Sequence, residues 1–139
     1  AGVAAIEVLG PERTVGDAIV EFALQYLGAP YVWATHGPST FDCSGFTDWV
    51  ALNVLGVHIG YNQVEQVYYG TAVAYADLRP GDLVFFQNTH PIHEGVSHVG
   101  IYIGGGRFVH ASTMAGVVTI DDLTSGYYAA HYYGAVRLA

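Results

Sequence analysis

The sequence predicts an α+β fold in which amino-terminal helices pack on a carboxy-terminal antiparallel β-sheet. Apolar residues recur at helical intervals up to Gly70, and after the Arg79-Pro80-Gly81-Asp82 turn they alternate as they do in strands. Helices followed by strands indicate an α+β layout and not an alternating α/β one. The chain has 139 residues, of which 52% are apolar and 12% charged, which suits one domain with a continuous core.

The charge balance excludes some partners. The formal net charge is −8, with no lysine and only four arginines, so the chain has no basic face for nucleic acid. No apolar run reaches the length of a membrane helix, and no membrane partner is expected. Charge alone would not bring the protein to an anionic surface such as a lipid membrane or a cell wall; if a wall is the target, a flanking wall-targeting module or specific contacts must deliver the protein.

The amino-terminal part begins with a predicted linker or arm over residues 1–13, so the domain is expected over residues 14–139. Thr14 is a good N-cap, and Asp17 occupies the capping-box position three residues later. Helical spacing then continues to Gly28. The start of the chain lacks the basic residues of a signal peptide, and a single cysteine forms no internal disulfide.

A second helix is predicted from Cys43 to Gly56, and a short third helix from Gln63 to Tyr69. After the turn, strands are predicted over residues 83–86, 97–103, 107–112, 116–120 and 132–138. The order of these elements places the only cysteine at the first turn of a helix.

Cys43 is a candidate nucleophile. The thiolate is the reactive form, and a helix start offers free backbone N–H groups and the positive end of the helix dipole, which favour an anion. The same N–H groups are suited to bind an oxyanion. The alternative is a small buried hydrophobe, the usual role of a single cysteine. The polar and flexible neighbours Asp42, Ser44 and Gly45 make a groove a reasonable location.

Two histidines follow in a predicted hairpin. If Gly104-Gly105-Gly106 forms the turn, Ile103 faces Arg107 and Gly100 faces His110, so that His98 and His110 share one face. A two-residue turn would shift the register by one and separate them. With both histidines on one face, His98 would take the proton of Cys43, and His110 would orient the His98 ring. A half-buried histidine with only a structural role is the alternative for His98.

Three other groups of residues have simpler interpretations. His90, His93 and Glu94 have no helical zinc-site spacing and are predicted to form a solvated loop. The tyrosines at 127, 128, 132 and 133 are expected to pack the last strand on the sheet. Asp121 and Asp122 are expected to cap a turn.

Five short motifs, in order, resemble the NlpC-type cysteine peptidases of bacterial cell walls, which have a papain-like core. The matching segments are Pro30-Tyr31-Val32-Trp33, Phe41-Asp42-Cys43-Ser44-Gly45-Phe46, Leu78-Arg79-Pro80-Gly81-Asp82-Leu83-Val84-Phe85-Phe86, Ser97-His98-Val99-Gly100-Ile101-Tyr102-Ile103-Gly104 and Phe108-Val109-His110-Ala111. The resemblance covers residues 14 to 138, nearly the whole chain.

The resemblance implies hydrolysis of peptidoglycan stem peptides, usually at the amide between D-glutamate and the following diamino acid. Cys43 matches the family nucleophile, His98 the base and His110 the third polar residue. It further implies a secreted or wall-associated protein and no metal or organic cofactor.

The resemblance also implies a substrate pocket. Tyr31, Asp42 and Ser44 match positions that line the pocket for the start of the stem peptide, and Gln66 matches a family glutamine at its border. The carboxylate of Asp42 suits a free amino group, although capping the helix at Cys43 explains it equally well.

Two departures from the family pattern lie beside this pocket. Ala34-Thr35 replaces a usual glycine pair, and Tyr61 and Gln63 stand where an arginine and a serine are usual. Acyl transfer or cleavage of a different amide therefore stays an alternative, as does a wall-binding module without activity.

Overall fold

The computed structural model describes residues 13–91 and 95–138, and it confirms the predicted α+β fold. Within these ranges the chain forms the helices α1 (Val15–Leu24), α2 (Cys43–Leu55), α3 (Gln63–Gln66) and α4 (Gly126–His131), and a 3-10 turn at Tyr75–Asp77. The strands are β1 (Thr71–Val73), β2 (Leu83–Gln87), β3 (Val96–Gly104), β4 (Arg107–Ala111), β5 (Val118–Asp122) and β6 (Tyr132–Arg137). The predicted linker, residues 1–13, lies outside the described residues apart from Arg13.

All six strands form one antiparallel sheet in the order β1-β6-β2-β3-β4-β5. The strands β2, β3 and β4 are therefore central, and β5 lies at one edge. None of the described helices is long and apolar enough to span a bilayer.

The helix starts are the best-predicted local features. Thr14 and Asp17 form the expected capping box at α1, and the Asp42 side chain caps α2. Gly56 ends α2 in a left-handed conformation, with φ of 76°, which glycine adopts without strain. In contrast, α1 ends at Leu24 and not at Gly28, because residues 25–28 form turns and the Gly28 N–H donates to the Val118 carbonyl. The sequence interpretation missed β1 and α4 altogether.

One face of the β3–β4 hairpin, here called the helix-facing face, carries Val99, Ile101, Val109 and Ala111. All four are fully buried and pack with α1 and α2 in the larger hydrophobic cluster. The alternation of side chains along a strand sends the residues between them to the opposite side. Alternation in the sequence predicts this apolar face with Ile103 as a fifth member, and Ile103 is partly buried against the same cluster.

The hairpin reaches the predicted register by a different route. The turn holds two residues, Gly105 and Gly106, and Gly104 pairs with Arg107, so the predicted pairing of Ile103 with Arg107 is wrong. A bulge between Tyr102 and Gly104 inserts one extra residue into β3. The extra residue cancels the one-residue shift that the shorter turn would cause. Tyr102 therefore faces Phe108, as the predicted register requires.

The opposite side of the hairpin, here called the imidazole face, carries His98 and His110 among aromatic rings. The Phe108 and His110 ring centroids lie 4.4 Å apart, and those of His110 and Tyr128 lie 5.1 Å apart. Phe86, opposite His98 in the β2–β3 register, completes this wall. The imidazole face is thus also buried, but by aromatic side chains of strands and of α4.

Candidate active site

The nucleophile candidate lies at the amino-terminal end of α2. Asp42 is the N-cap, and its Oδ1 accepts a hydrogen bond of 2.6 Å from the Gly45 N–H. This cap fixes the direction in which α2 begins and so the position of Cys43, its first residue. The backbone groups of Cys43 and Ser44 act on the thiol as hydrogen-bond partners and favour its anion.

The two histidines predicted to meet do so. Nε2 of His98 and Nδ1 of His110 are 2.7 Å apart, and both rings are buried. Gly100 leaves the space for this contact, because a Cβ at this position would lie 3.1 Å from the His110 Cβ and 2.7 Å from the Phe108 Cδ2. The other ring nitrogen of His110, Nε2, lies 2.7 Å from Oδ2 of Asp121 on β5.

A cavity of about 540 Å³ opens between the helical half and the sheet. Cys43 and His98 both line it, and so do three of the predicted substrate-binding residues, Tyr31, Asp42 and Ser44. The backbone of Val99 also lies near enough to the thiol to act as a hydrogen-bond partner, which puts the sulfur against the strand that carries His98.

Burial sets the protonation states of this site. It raises the pKa of the Cys43 thiol to about 12, and the nearby Asp42 carboxylate acts in the same direction. Burial also lowers the pKa of His98 well below its ordinary value and that of His110 to about 3. The backbone groups at the helix start do favour the thiolate, as expected, but desolvation is the larger effect and the pKa rises overall. These shifts favour a neutral thiol and neutral imidazoles in the resting site.

The wall beside Cys43 is acidic. Burial raises the pKa of Asp42, while the Gly45 N–H and nearby His36 oppose this shift. Burial together with Cys43 and Asp42 raises the pKa of Tyr31 to about 12, so its phenol stays protonated. Asp42 thus both caps α2 and faces the cavity, and the two sequence interpretations of this residue are compatible.

Gln66 needs a correction, since the described cavity wall does not include it. Its side chain is fully buried; Nε2 donates to the carbonyls of Ser44 and Gly60, and Oε1 accepts from the Thr47 hydroxyl. With these groups satisfied inside the protein, the geometry favours a supporting role for Gln66, which joins α3 to the first turn of α2, over direct contact with substrate.

Sequence interpretation missed Asp121, which lies on β5 beside His110 and does not cap a turn. The neighbouring Asp122 does cap one, accepting from Thr124 and Ser125. The missed signal was parity, since His110 faces Thr119 in the β4–β5 register and Asp121 lies two residues further on the same face.

The sequence interpretation did not place Tyr127 and Tyr128 on a helix, but both lie on α4 and line the cavity. Tyr128 also packs on the sheet, as expected, in one buried cluster with Phe86 and with Ala135 of the last strand. His93 and Glu94 of the zinc alternative lie outside the described residues. Among the residues that the structure describes, no group of three or more His, Cys, Asp or Glu side chains could hold a metal ion.

Fold and site together define a class: a cysteine at a helix start and a histidine on an antiparallel sheet line the same cavity, which is the arrangement of a papain-like thiol hydrolase. A family comparison agrees, since residues 28–137 match the NlpC/P60 family. The chain belongs to this family, a family of cysteine peptidases.

Similar proteins extend the match. The chain is 42% identical over 107 residues to the probable endopeptidase p60 of Listeria grayi, covering 77% of this chain and 20% of the relative. It is 36% identical over 136 residues to the gamma-DL-glutamyl hydrolase of Bacillus subtilis strain 168, covering 97% and 32%. The chain thus spans less than half the length of the curated relatives it matches.

A solved structure covers almost the same extent as this domain. The NlpC/p60 domain of the peptidoglycan hydrolase SagA is 38% identical, with a TM-score of 0.76. The match covers 88% of this chain and 97% of that one. The fold described above is therefore that of NlpC/P60 domains.

Proposed function

We propose that residues 14–139 form a cysteine endopeptidase domain that hydrolyses peptidoglycan stem peptides at the amide between D-glutamate and the following diamino acid. The observation that carries this proposal is the convergence of Cys43 and His98 on one cavity, with His110 bonded behind His98. The names of two similar proteins support the substrate class, one a peptidoglycan hydrolase and the other a gamma-DL-glutamyl hydrolase. The proposed site of action is the bacterial cell wall.

In the proposed first step, the Cys43 sulfur attacks the carbonyl carbon of the scissile amide. Nδ1 of His98, the ring nitrogen not bonded to His110, takes the thiol proton. Since the resting thiol and imidazole are both neutral, this transfer accompanies the attack. The backbone N–H groups at the start of α2 bind the oxyanion of the tetrahedral intermediate.

Collapse of the intermediate breaks the C–N bond, and His98 gives its proton to the leaving amine. A thioester between the acyl group and Cys43 remains. Water then loses a proton to His98 and attacks the thioester, which releases a carboxylic acid and returns the thiol. His110 keeps the His98 ring oriented through both steps.

The cavity charge supports recognition of an amino group. Among the described residues that line the cavity, Asp42 and Glu65 carry carboxyl groups, and none is an arginine. The sequence has no lysine that could offset them. We therefore assign Asp42, with Tyr31 and Ser44 beside it, to the amino group at the start of the stem peptide.

The experiment that tests this proposal is mass spectrometry of muropeptides after digestion of purified peptidoglycan. We expect new free amino groups on diamino acid residues, and none with the Cys43→Ala variant. Equal release by Cys43→Ala would contradict the proposed nucleophile. A matched pair of stem peptides, one with its amino terminus acetylated, tests Asp42: acetylation should raise KM.

A second candidate is cleavage of a different amide, or acyl transfer, on the same scaffold. Tyr61 and Gln63 favour it, because both line the cavity at positions where the family usually has other residues. Tyr61 stacks on His36, with ring centroids 5.3 Å apart, and so forms an aromatic wall. Products cleaved elsewhere, or joined to an added amine, would favour this candidate in the same mass spectra.

A further inference from the structure

The hydrogen-bonded chain that begins at His98 does not end at His110. Asp121 Oδ2 lies 2.7 Å from Nε2 of His110, whose side chain is fully buried, while 41% of the Asp121 side chain is exposed. One residue from each of three adjacent strands, β3, β4 and β5, thus forms a continuous line from the cavity to solvent.

This line fixes the positions of the ring protons. An ionised carboxylate only accepts hydrogen bonds, so Nε2 of His110 must carry the hydrogen that it donates to Asp121. A neutral imidazole has one N–H, and Nδ1 of His110 is therefore an acceptor. The bond of 2.7 Å then requires that Nε2 of His98 be the donor. Nδ1 of His98 is left with a free lone pair.

Without Asp121, nothing in this pair of rings selects the tautomer. His110 could carry its hydrogen on Nδ1 and donate to Nε2 of His98, which would then have its own hydrogen on Nδ1. In that state His98 has no free nitrogen for the thiol proton. The acceptor at the far end therefore decides whether the ring nearest the cavity acts as a base.

We propose that Asp121 is a positioning residue for the proposed hydrolysis, selecting the tautomers of His110 and His98 and favouring the imidazolium that forms during the reaction. Asp121 is not among the residues that line the cavity, and it acts on His98 through its bond to His110 and through its charge. The inference rests on the proposed function for its kinetic consequences. The tautomers themselves do not depend on any activity.

Other titratable groups surround the two rings and must stay constant in the test. Cys43 and Asp42 face the site from α2, and Tyr128 faces both rings from α4. Tyr127 packs against Tyr128, and His36 lies near Asp42. Variants at position 121 leave all of these in place.

The chain offers a matched control. Asp121→Asn and Asp122→Asn remove the same charge from adjacent positions, but only the first faces an imidazole. We expect Asp121→Asn to lower kcat about tenfold with KM changed less than about twofold, as loss of a partner that orients a histidine does. The acidic limb of its pH–rate profile should move to lower pH, since the imidazolium loses its counter-charge. Asp122→Asn should match the wild type in all three quantities.

A conservative variant and a direct measurement complete the test. Asp121→Glu restores a carboxylate and should return the acidic limb toward its wild-type position. Nitrogen-15 NMR of the wild type, with the rings assigned through His110→Asn, should show the hydrogen on Nε2 of both His98 and His110. In Asp121→Asn, whose amide both donates and accepts, the His110 signals should report a mixture of tautomers.

The possible results separate the two proposals. An inactive wild type contradicts the proposed function, while the NMR experiment still decides the role of Asp121. Identical kinetics, pH limb and tautomers in Asp121→Asn and Asp122→Asn would overturn the inference. A wild-type His110 with its hydrogen on Nδ1 would overturn it without any variant, including the case in which Asp121→Asn fails to fold.

Discussion

The two faces of the β3–β4 hairpin are equally buried but differ in what burial does. On the helix-facing face, Ile101 and Val109 lose contact with water, and this burial stabilises the fold. On the imidazole face, His98 and His110 lose contact with water too, but burial suppresses their charged forms. The same two strands thus provide both the core and a pair of neutral bases.

The difference shows how one hairpin serves stability and chemistry at once. Alternation along each strand keeps the two sets of side chains apart, so each face can change without direct contact with the other. Variants on the helix-facing face should alter unfolding, and variants on the imidazole face should alter turnover. The following predictions test this separation.

The largest effect is expected at the catalytic groups. His98→Ala should lower kcat at least about 1000-fold, because general-base catalysis and activation of the nucleophile are lost together. The variant should stay folded, although loss of the buried ring and of its bond to His110 should lower its melting temperature by about a few degrees. The exposed His58 bonds Asp48 and contacts Tyr61 but does not itself line the cavity, and it provides a control: His58→Ala should keep a kcat close to that of the wild type. A His98→Ala protein with more than a tenth of wild-type kcat would contradict the proposed base.

The matching change on the other face is Ile101→Ala. Removing a fully buried isoleucine side chain from the core should lower the free energy of unfolding by about 3 kcal/mol. Urea unfolding measures this loss, and turnover per folded molecule should change less than about twofold. A large loss of turnover in fully folded Ile101→Ala would show that the two faces are coupled.

How well each half of the site could be predicted depends on how far apart in the sequence its contacting residues lie. The cap of α2 joins Asp42 to Gly45, three residues apart, and such local contacts are legible in sequence. The pairing of His98 with His110 was also predicted from alternation and a glycine turn, although the predicted length of that turn is wrong and a bulge restores the register. The chain order of helices and strands was enough for the fold class.

The rest depended on contacts that no local pattern encodes. The bulge near Ile103 adds one residue to β3. Its effect on the β3–β4 register can be worked out only when the length of the turn is also known. To place the Asp121 carboxylate beside His110, a second strand register, that between β4 and β5, must also be known. The raised pKa of Cys43 reflects the depth of the cleft, which sequence does not reveal. Tertiary packing, not local preference, decided each of these features.

Gly100 lies on the imidazole face beside Phe108 and His110, and Gly100→Ala tests how tightly this face is packed. The added methyl group would meet Phe108 and His110 at 2.7 and 3.1 Å, so their side chains must shift. We expect a loss of about 2 kcal/mol in unfolding free energy, typical of overpacking, together with reduced kcat. Gly134→Ala is the matched control in β6, since its Cβ meets nothing within 4 Å. Equal behaviour of the two variants would contradict the tight spacing described here.

The smallest expected effect is on the pH dependence of the unfolding free energy, which should differ between variants of the two faces. Because burial lowers the pKa of His98 and His110 below the unfolded value near 6.5, unfolding takes up protons in acid. Their contribution to stability is complete above pH 6.5 and is lost as the pH falls toward the folded pKa values. Between pH 6.5 and 5.5 the expected loss is about 1 kcal/mol per histidine.

Asp42 and Asp121 act in the opposite direction, since burial raises their pKa values, and a comparison between variants is needed to isolate the histidines. Urea unfolding of the double variant His98→Asn/His110→Asn should show a weaker dependence on pH than the wild type. Ile101→Ala, on the helix-facing face, should lose the same free energy at both pH values. If the double variant kept the wild-type slope, the two rings would already be charged or hydrated in the folded protein. The imidazole face would then not hold them as neutral bases.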